Sequence, residues 1–214
     1  MIIAIDGPSA SGKSTTAKYI GEKLGILHLD TGAMYRAITL ECIQKSIHHT
    51  SEKNLLSLIR SIHISFDSKN QICINNKNVE NLIRSQTVTS QVSNFSAVKI
   101  VRERMVKRQR EISKNNDCVI EGRDIGTVVF PNADFKFYLD ASAEVRASRR
   151  LIELEKRGEK IKFVDLVKRI KDRDFFDMNR EISPLRKALD AIVIDTSDLS
   201  IDEQIEKIIK IVTN

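Results

Sequence analysis

Gly7-Pro8-Ser9-Ala10-Ser11-Gly12-Lys13-Ser14 fits the spacing G-x-x-x-x-G-K-[ST] at every fixed position. It lies between an apolar run that contains Ile3 and Ile5 and a stretch from Ser14 to Leu24 made of helix-compatible residues. A loop of this kind works only between a buried strand and a helix. Glycines let the backbone wrap closely, so that main-chain N–H groups converge on a polyphosphate. The helix N-terminus adds its positive dipole end. In such a loop Lys13 reaches between the β- and γ-phosphates of a nucleotide, and the Ser14 hydroxyl is the expected magnesium ligand. Thr15 and Thr16 follow as candidates for a cap or a further phosphate contact. The motif specifies a nucleotide phosphate but not a reaction.

The remaining chain alternates strand and helix patterns. After Gly25, expected to terminate the first helix, Leu27–Leu29 reads as a short strand, with Thr31 as N-cap of a helix near Ala33–Gln44. Residues 50–85 change character: Ile62, Ile64 and Phe66 alternate, as do Ile72 and Ile74, with turn-forming runs Asp67–Asn70 and Asn75–Asn78 between and after them. This predicts a small antiparallel meander inserted in a βα pattern. A long basic helix follows over Val98–Ile112. Strands are expected at Cys118–Ile120, Phe135–Leu139 and Ile192–Ile194, and helices at Ser142–Arg157 and Phe163–Met178. The chain closes on an amphipathic helix, Ile201–Val212, apolar at 201, 205, 208, 209 and 212. The fold class is α/β, with a five-stranded parallel sheet covered by helices on both faces.

Composition narrows the function. The 214 residues are 41% hydrophobic and 30% charged, a globular balance, and no stretch approaches the roughly 20 apolar residues of a membrane span. The N-terminus lacks a basic region and turns acidic at Asp6, unlike a secretion signal. Cys42, Cys73 and Cys118 are odd in number, far apart and without metal-binding spacing. A cytoplasmic chain without membrane contact is expected, and a monomer. The four histidines show no metal spacing either. The net charge of +6 is uneven, residues 99–110 holding six basic residues against one acid. That clustering implies an anionic partner, either phosphate groups or a nucleic acid. Only eleven aromatic residues exist and none falls in 99–110, which speaks against single-strand stacking. A guanine-reading N-K-x-D is nearly present at Asn76-Lys77-Asn78-Val79, but Val79 stands where the aspartate must be.

Arginine is abundant where a phosphate acceptor would need it. Arg36, Arg102, Arg123, Arg149, Arg150, Arg157, Arg173 and Arg180 are all candidate anion ligands, since the guanidinium fork binds phosphate bidentately and stays charged. Arg173, Asp177 and Arg180 fall on one helical face at i, i+4 and i+7, which is also the spacing of a solvated salt-bridge ladder.

The segments GPSASGKST, LDTGAMYRA, VSNFSAVKIVRERMVKRQR, IEGRDIGTVVFPNADFKFYLDASAEVRASRR and RDFFDMNREISPL together resemble the bacterial cytidylate kinases, nearly end to end. The IEGRDIGTVVFPNA block is far more specific than the phosphate loop. The resemblance implies a P-loop nucleoside monophosphate kinase fold. Its core would span about 1–50, 98–148 and 180–214, its acceptor-binding insert about 51–97 and its short lid about 149–164. It implies phosphoryl transfer from ATP to CMP or dCMP with Mg2+, in pyrimidine nucleotide metabolism. By the same resemblance Gly7 to Thr15 hold ATP, and Arg149, Arg150 and Arg157 belong to the lid beside RGEKIK. Thr31, where the family more often has serine, and Arg36 bind the acceptor. Ser93 and Arg102 read cytosine, in a segment where Lys99 replaces the usual proline. Arg123 binds phosphate, Asp124 accepts from the cytosine 4-amino group, and Asp177 faces ribose hydroxyls beside Arg173 and Arg180. Lys13, Arg123 and Arg180 are the residues expected to act on the transferring group. The cytosine assignment agrees with chemistry, because cytosine offers an N4 donor to a carboxylate where uracil offers a carbonyl.

Alternatives remain at this point. Arg36, Ser93 and Arg102 are also compatible with surface polar positions, and Arg123–Asp124 with a structural ion pair. The nearest rival reading is a P-loop kinase for another small acceptor. A nucleic-acid-stimulated ATPase would instead use the basic run at 99–110.

Overall fold

Strand β1 (Ile2–Asp6) is buried on both faces, with Ile3, Ala4 and Ile5 fully inaccessible, as a central parallel strand requires. In the computed structural model, which describes residues 1–156 and 158–213, β1 lies in the middle of a five-stranded sheet of order β2-β6-β1-β7-β8. The other strands are β2 (Leu27–Asp30), β6 (Cys118–Gly122), β7 (Phe135–Asp140) and β8 (Ile192–Asp195). β1 pairs in parallel with β6 and β7, and β7 with β8. The expected α/β class and parallel sheet are therefore found.

Two compact units divide the chain, Met1–Leu29 with Asn116–Asn214, and Asp30–Asn115. In the first unit, helix α1 (Lys13–Leu24) and the closing helix α8 (Ile201–Thr213) cover one face of the sheet. Ala17 and Ile20 from α1, and Ile205 and Ile208 from α8, join Ile3, Ile5, Val119, Phe137, Leu139 and Ile194 in one core. Removing that much apolar surface from water is the main driving force for this unit. Gly25 ends α1 in the left-handed region, φ 65°, its N–H on the Gly21 carbonyl. Helices α6 (Ala143–Glu155) and α7 (Phe163–Asn179) pack on each other through Ala143, Ala147, Leu154, Leu166 and Ile170.

The second unit contains α2 (Thr31–Gln44), α3 (Glu52–Ser61), strands β3 (Ile64–Phe66), β4 (Ile72–Ile74) and β5 (Lys77–Asn78), and helices α4 (Gln86–Ser96) and α5 (Lys99–Ser113). The predicted antiparallel meander is present, with Ile64 opposite Ile74 and Cys73 opposite Asn78. Asn75 and Asn76 both take positive φ, 49° and 65°, in the two-residue turn, a conformation that asparagine tolerates better than other side-chain-bearing residues. One local expectation fails. Thr31 is the first helical residue of α2 and not its cap, because Asp30 caps the helix through Oδ1, accepting from Ala33 N–H at 2.8 Å. Asp30 is the better cap, its carboxylate accepting more strongly than a hydroxyl and complementing the helix dipole.

Candidate active site

The loop from Gly7 to Gly12 joins β1 to α1 as the motif requires, and three of its residues occupy positive φ: Gly7 (147°), Ala10 (61°) and Gly12 (92°). Gly7 is dictated by space as well. A Cβ there would stand 2.1 Å from the carbonyl oxygen of Leu139, so the cradle can sit this close to β7 only without a side chain. Lys13 is buried, its Nζ donating to Pro8 O at 2.5 Å and to Ser11 Oγ at 3.2 Å. Ser11 Oγ in turn donates to Pro8 O at 3.1 Å. Burial, reinforced by the charge of Arg123, depresses the Lys13 ammonium well below its ordinary pKa, against the pull of Glu121 and Asp6. An arriving polyphosphate would reverse that balance and hold the ammonium charged.

Ser14 Oγ donates to Glu121 Oε2 at 2.6 Å, and the other oxygen of that buried carboxylate lies 3.2 Å from His28 Nε2. A serine hydroxyl beside a carboxylate is a hard-oxygen pair, which suits Mg2+, a cation that takes one or two protein oxygens and fills its remaining positions with phosphate and water. Among the described residues no group of three or more His, Cys, Asp or Glu side chains is placed to hold a metal ion. Thr15 is exposed on α1. The Thr16 hydroxyl donates to Gln204 Oε1 at 3.2 Å, the oxygen that lies 3.0 Å from where a Cβ on Gly12 would stand.

The expected lid arginines have different surroundings. Arg149 donates through Nη1 to Thr196 Oγ1 at 3.0 Å and through Nη2 to Thr196 O. The Thr196 hydroxyl lies 3.3 Å from the carbonyl oxygen of Ser11 in the cradle. Arg150 pairs with Glu153 on the surface of α6 at 2.6 Å. Arg157 lies outside the described residues. Sequence reasoning passed over Arg146, which is buried, donates through Nη1 to Ser9 O of the cradle at 3.2 Å and pairs with Asp174 at 2.6 Å. It stands in the same arginine-rich stretch, EVRASRR, and only burial separates it from its neighbours.

Within the same unit, a cluster of arginines gathers around Asp177. Arg123 Nε donates to Asp177 Oδ2 at 3.1 Å, Arg180 Nη1 lies 3.7 Å from Oδ1, and Arg173 Nε lies 4.0 Å from Oδ2. Arg180 also approaches Asp124 at 3.9 Å. Burial, the largest influence on Asp177, opposes its ionisation, but Arg123, Arg173 and Arg180 outweigh it and hold the carboxyl below its ordinary range. Three guanidiniums against two carboxylates leave net positive charge, with Asp177 and Asp124 both almost wholly buried. Such a cluster accepts a phosphate. Arg173, Asp177 and Arg180 are thus brought together with Arg123 and Asp124 across 54 residues of sequence, and the five are more than a solvated ladder on α7.

In the second unit, Asp30 holds one of the expected acceptor residues, Arg36. Its Oδ2 accepts from Arg36 Nη2 at 3.1 Å and lies 3.5 Å from Arg84 Nη2, a residue that sequence reasoning did not single out. Gly32 leaves room for this arrangement, since a Cβ there would stand 3.0 Å from Asp30 Oδ1 and 3.1 Å from Arg36 Nη1. Arg102 is buried, donates to Ser96 O at 3.1 Å and lies 5.3 Å from the ring centroid of Tyr35. Ser93, half-buried on α4, offers its carbonyl to Ser96 Oγ at 3.1 Å. The basic helix α5 is not a uniform cationic stripe. Besides buried Arg102, its Arg108 is engaged by Ile64 O, His63 and Glu111.

A glycine loop at a helix N-terminus, on a parallel sheet with guanidiniums gathered beyond the strands' carboxyl ends, defines a P-loop nucleotide-binding α/β protein. The fold is shared with a solved shikimate kinase from Bacteroides thetaiotaomicron, at TM-score 0.54 and 12% identity over 100% of this chain and 99% of that one. It is shared also with TT1252 from Thermus thermophilus, at TM-score 0.51 and 17% identity over 100% and 96%; at these identities the likeness is of fold alone. The family model for cytidylate kinase matches residues 3–214. The chain is 49% identical over 210 residues to the cytidylate kinase of Clostridium botulinum (strain Langeland), covering 98% of this chain and 96% of the relative. It is 47% identical over 213 residues to that of Geobacillus sp. (strain WCH70), covering 98% and 95%. The chain belongs to the cytidylate kinase family, as its motifs suggested. No helix among the described residues is long and apolar enough to cross a membrane.

Proposed function

We propose that the chain transfers the γ-phosphoryl group of ATP to CMP or dCMP, giving ADP and CDP or dCDP. Family membership supports this reaction, and the observation that carries the residue assignment is the cluster of Arg123, Arg173 and Arg180 around buried Asp177, in the same unit as the cradle. Transfer between two polyanions needs positioning and charge compensation and no protein nucleophile, because the acceptor phosphate oxygen is itself the nucleophile. The main-chain N–H groups of the loop from Ser9 to Ser14 bind the donor phosphates. Lys13, released from Pro8 O by the incoming charge, bridges to the transferring group. Arg123 and Arg180 neutralise charge on the acceptor phosphate and on the transferring group. Asp124 accepts from the cytosine 4-amino group, while Asp177 orders the guanidiniums and faces the ribose. Arg36, Thr31, Ser93 and Arg102 complete acceptor recognition, and Arg149 and Arg150 supply lid contacts to ATP. Magnesium, held through Ser14 with Glu121 behind it, would supply further charge neutralisation on the nucleotide phosphates.

A panel of monophosphates assayed for ADP release with ATP and magnesium tests the proposal. CMP and dCMP are expected to turn over fastest. Equal turnover of UMP and AMP would remove the cytosine assignment, and polynucleotide-stimulated hydrolysis without any monophosphate acceptor would remove the kinase reading.

A further inference from the structure

Asp6, the last residue of β1, is 4% exposed and directly precedes Gly7 of the cradle. Both its oxygens are occupied by main-chain donors from a distant segment: Oδ1 accepts from Ile125 N–H at 2.8 Å and Oδ2 from Gly126 N–H at 2.8 Å. These two residues open a single π turn, Ile125–Val129, in which Val129 N–H reaches Asp124 O at 3.1 Å and Phe130 N–H reaches Ile125 O at 2.7 Å. The first N–H groups of a helical turn have no partner within it. A carboxylate from another strand supplies partners for both, and just before them in sequence stand Arg123 and Asp124.

We propose that Asp6 is a positioning residue for the acceptor: its carboxylate fixes the Ile125–Gly126 backbone to the strand that carries the ATP cradle, and thereby sets the orientation of Arg123 and Asp124. The proposal rests on the acceptor role assigned to those two residues above. Burying a charge is costly unless each lone pair finds a donor, and here the donors are the two amides that need fixing. An apolar residue would leave both amides unsatisfied, and an asparagine would point its own NH2 at one of them.

The same geometry makes the link sensitive to acid. Burial pushes the Asp6 carboxyl up to about 6, opposed by the Gly126 and Ile125 N–H groups, with Asp124 raising it further and Lys13 lowering it. Two further polar residues stand nearby among the described residues: Tyr138, opposite Asp6 in the β1–β7 register, and Lys136, whose stem lies against Gly126. Once protonated, Asp6 presents a donor where two donors already point.

The test compares wild type with Asp6→Asn in steady-state kinetics and in amide NMR titration of the free enzyme. We expect kcat/KM for CMP to fall about tenfold or more, with the Kd for ATP changed less than about twofold. In wild type, the Ile125 and Gly126 amides and the Arg123 Nε–H should shift with one common midpoint near 6, a titration missing from Asp6→Asn. Equal losses in the CMP and ATP parameters would mark Asp6 as merely structural and overturn the proposal, as would an unaltered kcat/KM. Should Asp6→Asn not fold, the wild-type titration decides: amides that do not respond, or that respond without Arg123, overturn it. A wild type inactive toward CMP would instead defeat the functional reading while leaving the amide titration to be read by itself.

Discussion

Arg123 donates through Nε to Asp177 Oδ2 at 3.1 Å, joining the loop after β6 to the last turn of α7. Asp177 is the counter-ion that allows Arg123, Arg173 and Arg180 to stand together before any phosphate arrives. Asp177→Ala leaves those guanidiniums mutually repelling in a largely buried setting, and should cost about 3 kcal/mol of stability, read from urea unfolding at neutral pH. The sign with pH follows from the depressed carboxyl. The stabilisation is complete above the ordinary value of 3.8 and is lost as pH falls through the lower folded value. The stability gap between wild type and Asp177→Ala should therefore narrow only in strong acid.

Lys13→Ala should lower kcat about 100-fold or more while the circular dichroism spectrum stays native. Lys13 is buried against Pro8 O and Ser11 Oγ with its pKa depressed, so its removal relieves a costly buried charge and does not open the core. ADP release near the wild-type rate would contradict the cradle assignment.

Asp124→Asn should reduce the preference for CMP over UMP about tenfold or more, since the amide can donate to the uracil carbonyl that a carboxylate repels. ATP affinity should change little. Unchanged selectivity would make Asp124 a counter-ion of Arg180 only.

Arg36→Ala and Asp30→Ala should behave alike toward the acceptor, each raising KM for CMP without altering ATP affinity. Asp30→Ala additionally removes the cap of α2 and should cost about 1 kcal/mol in thermal or urea unfolding, which Arg36→Ala should not. A selective loss of ATP binding in either variant would refute the acceptor role.

The legible part of the site was its contiguous part. Gly7 to Ser14 declares itself because the residues that form the phosphate loop are consecutive, and the arginines could be nominated from the resemblance of the IEGRD and RDFFDMNR segments to the family, the spacing alone being that of a solvated ladder. Their partners could not be assigned. Arg123 and Asp124 are sequence neighbours, yet Arg123 binds Asp177 and Arg180 approaches Asp124. Arg146 looked no different from Arg149 and Arg150 until burial set it against Ser9 O. Asp30 and Thr31 are adjacent and both cap-forming residue types, and only the backbone geometry shows that Asp30 is the cap and Thr31 the first helical residue.

Periodicity and turn chemistry act over a few residues, so the sequence alone determined the buried strands, the glycine loop, the asparagine turn of the meander and the amphipathic closing helix. Carboxylates have no such local signature. Asp6 reads as the polar end of a strand, and Glu121 as one more residue of a motif block. Only the tertiary structure decided that Asp6 holds the amides of Ile125 and Gly126, and that Glu121 lies under Ser14 from 107 residues away. The reason is physical: a buried charge is stable only where the complete fold delivers its donors, and those donors come from whichever segments the parallel sheet places side by side.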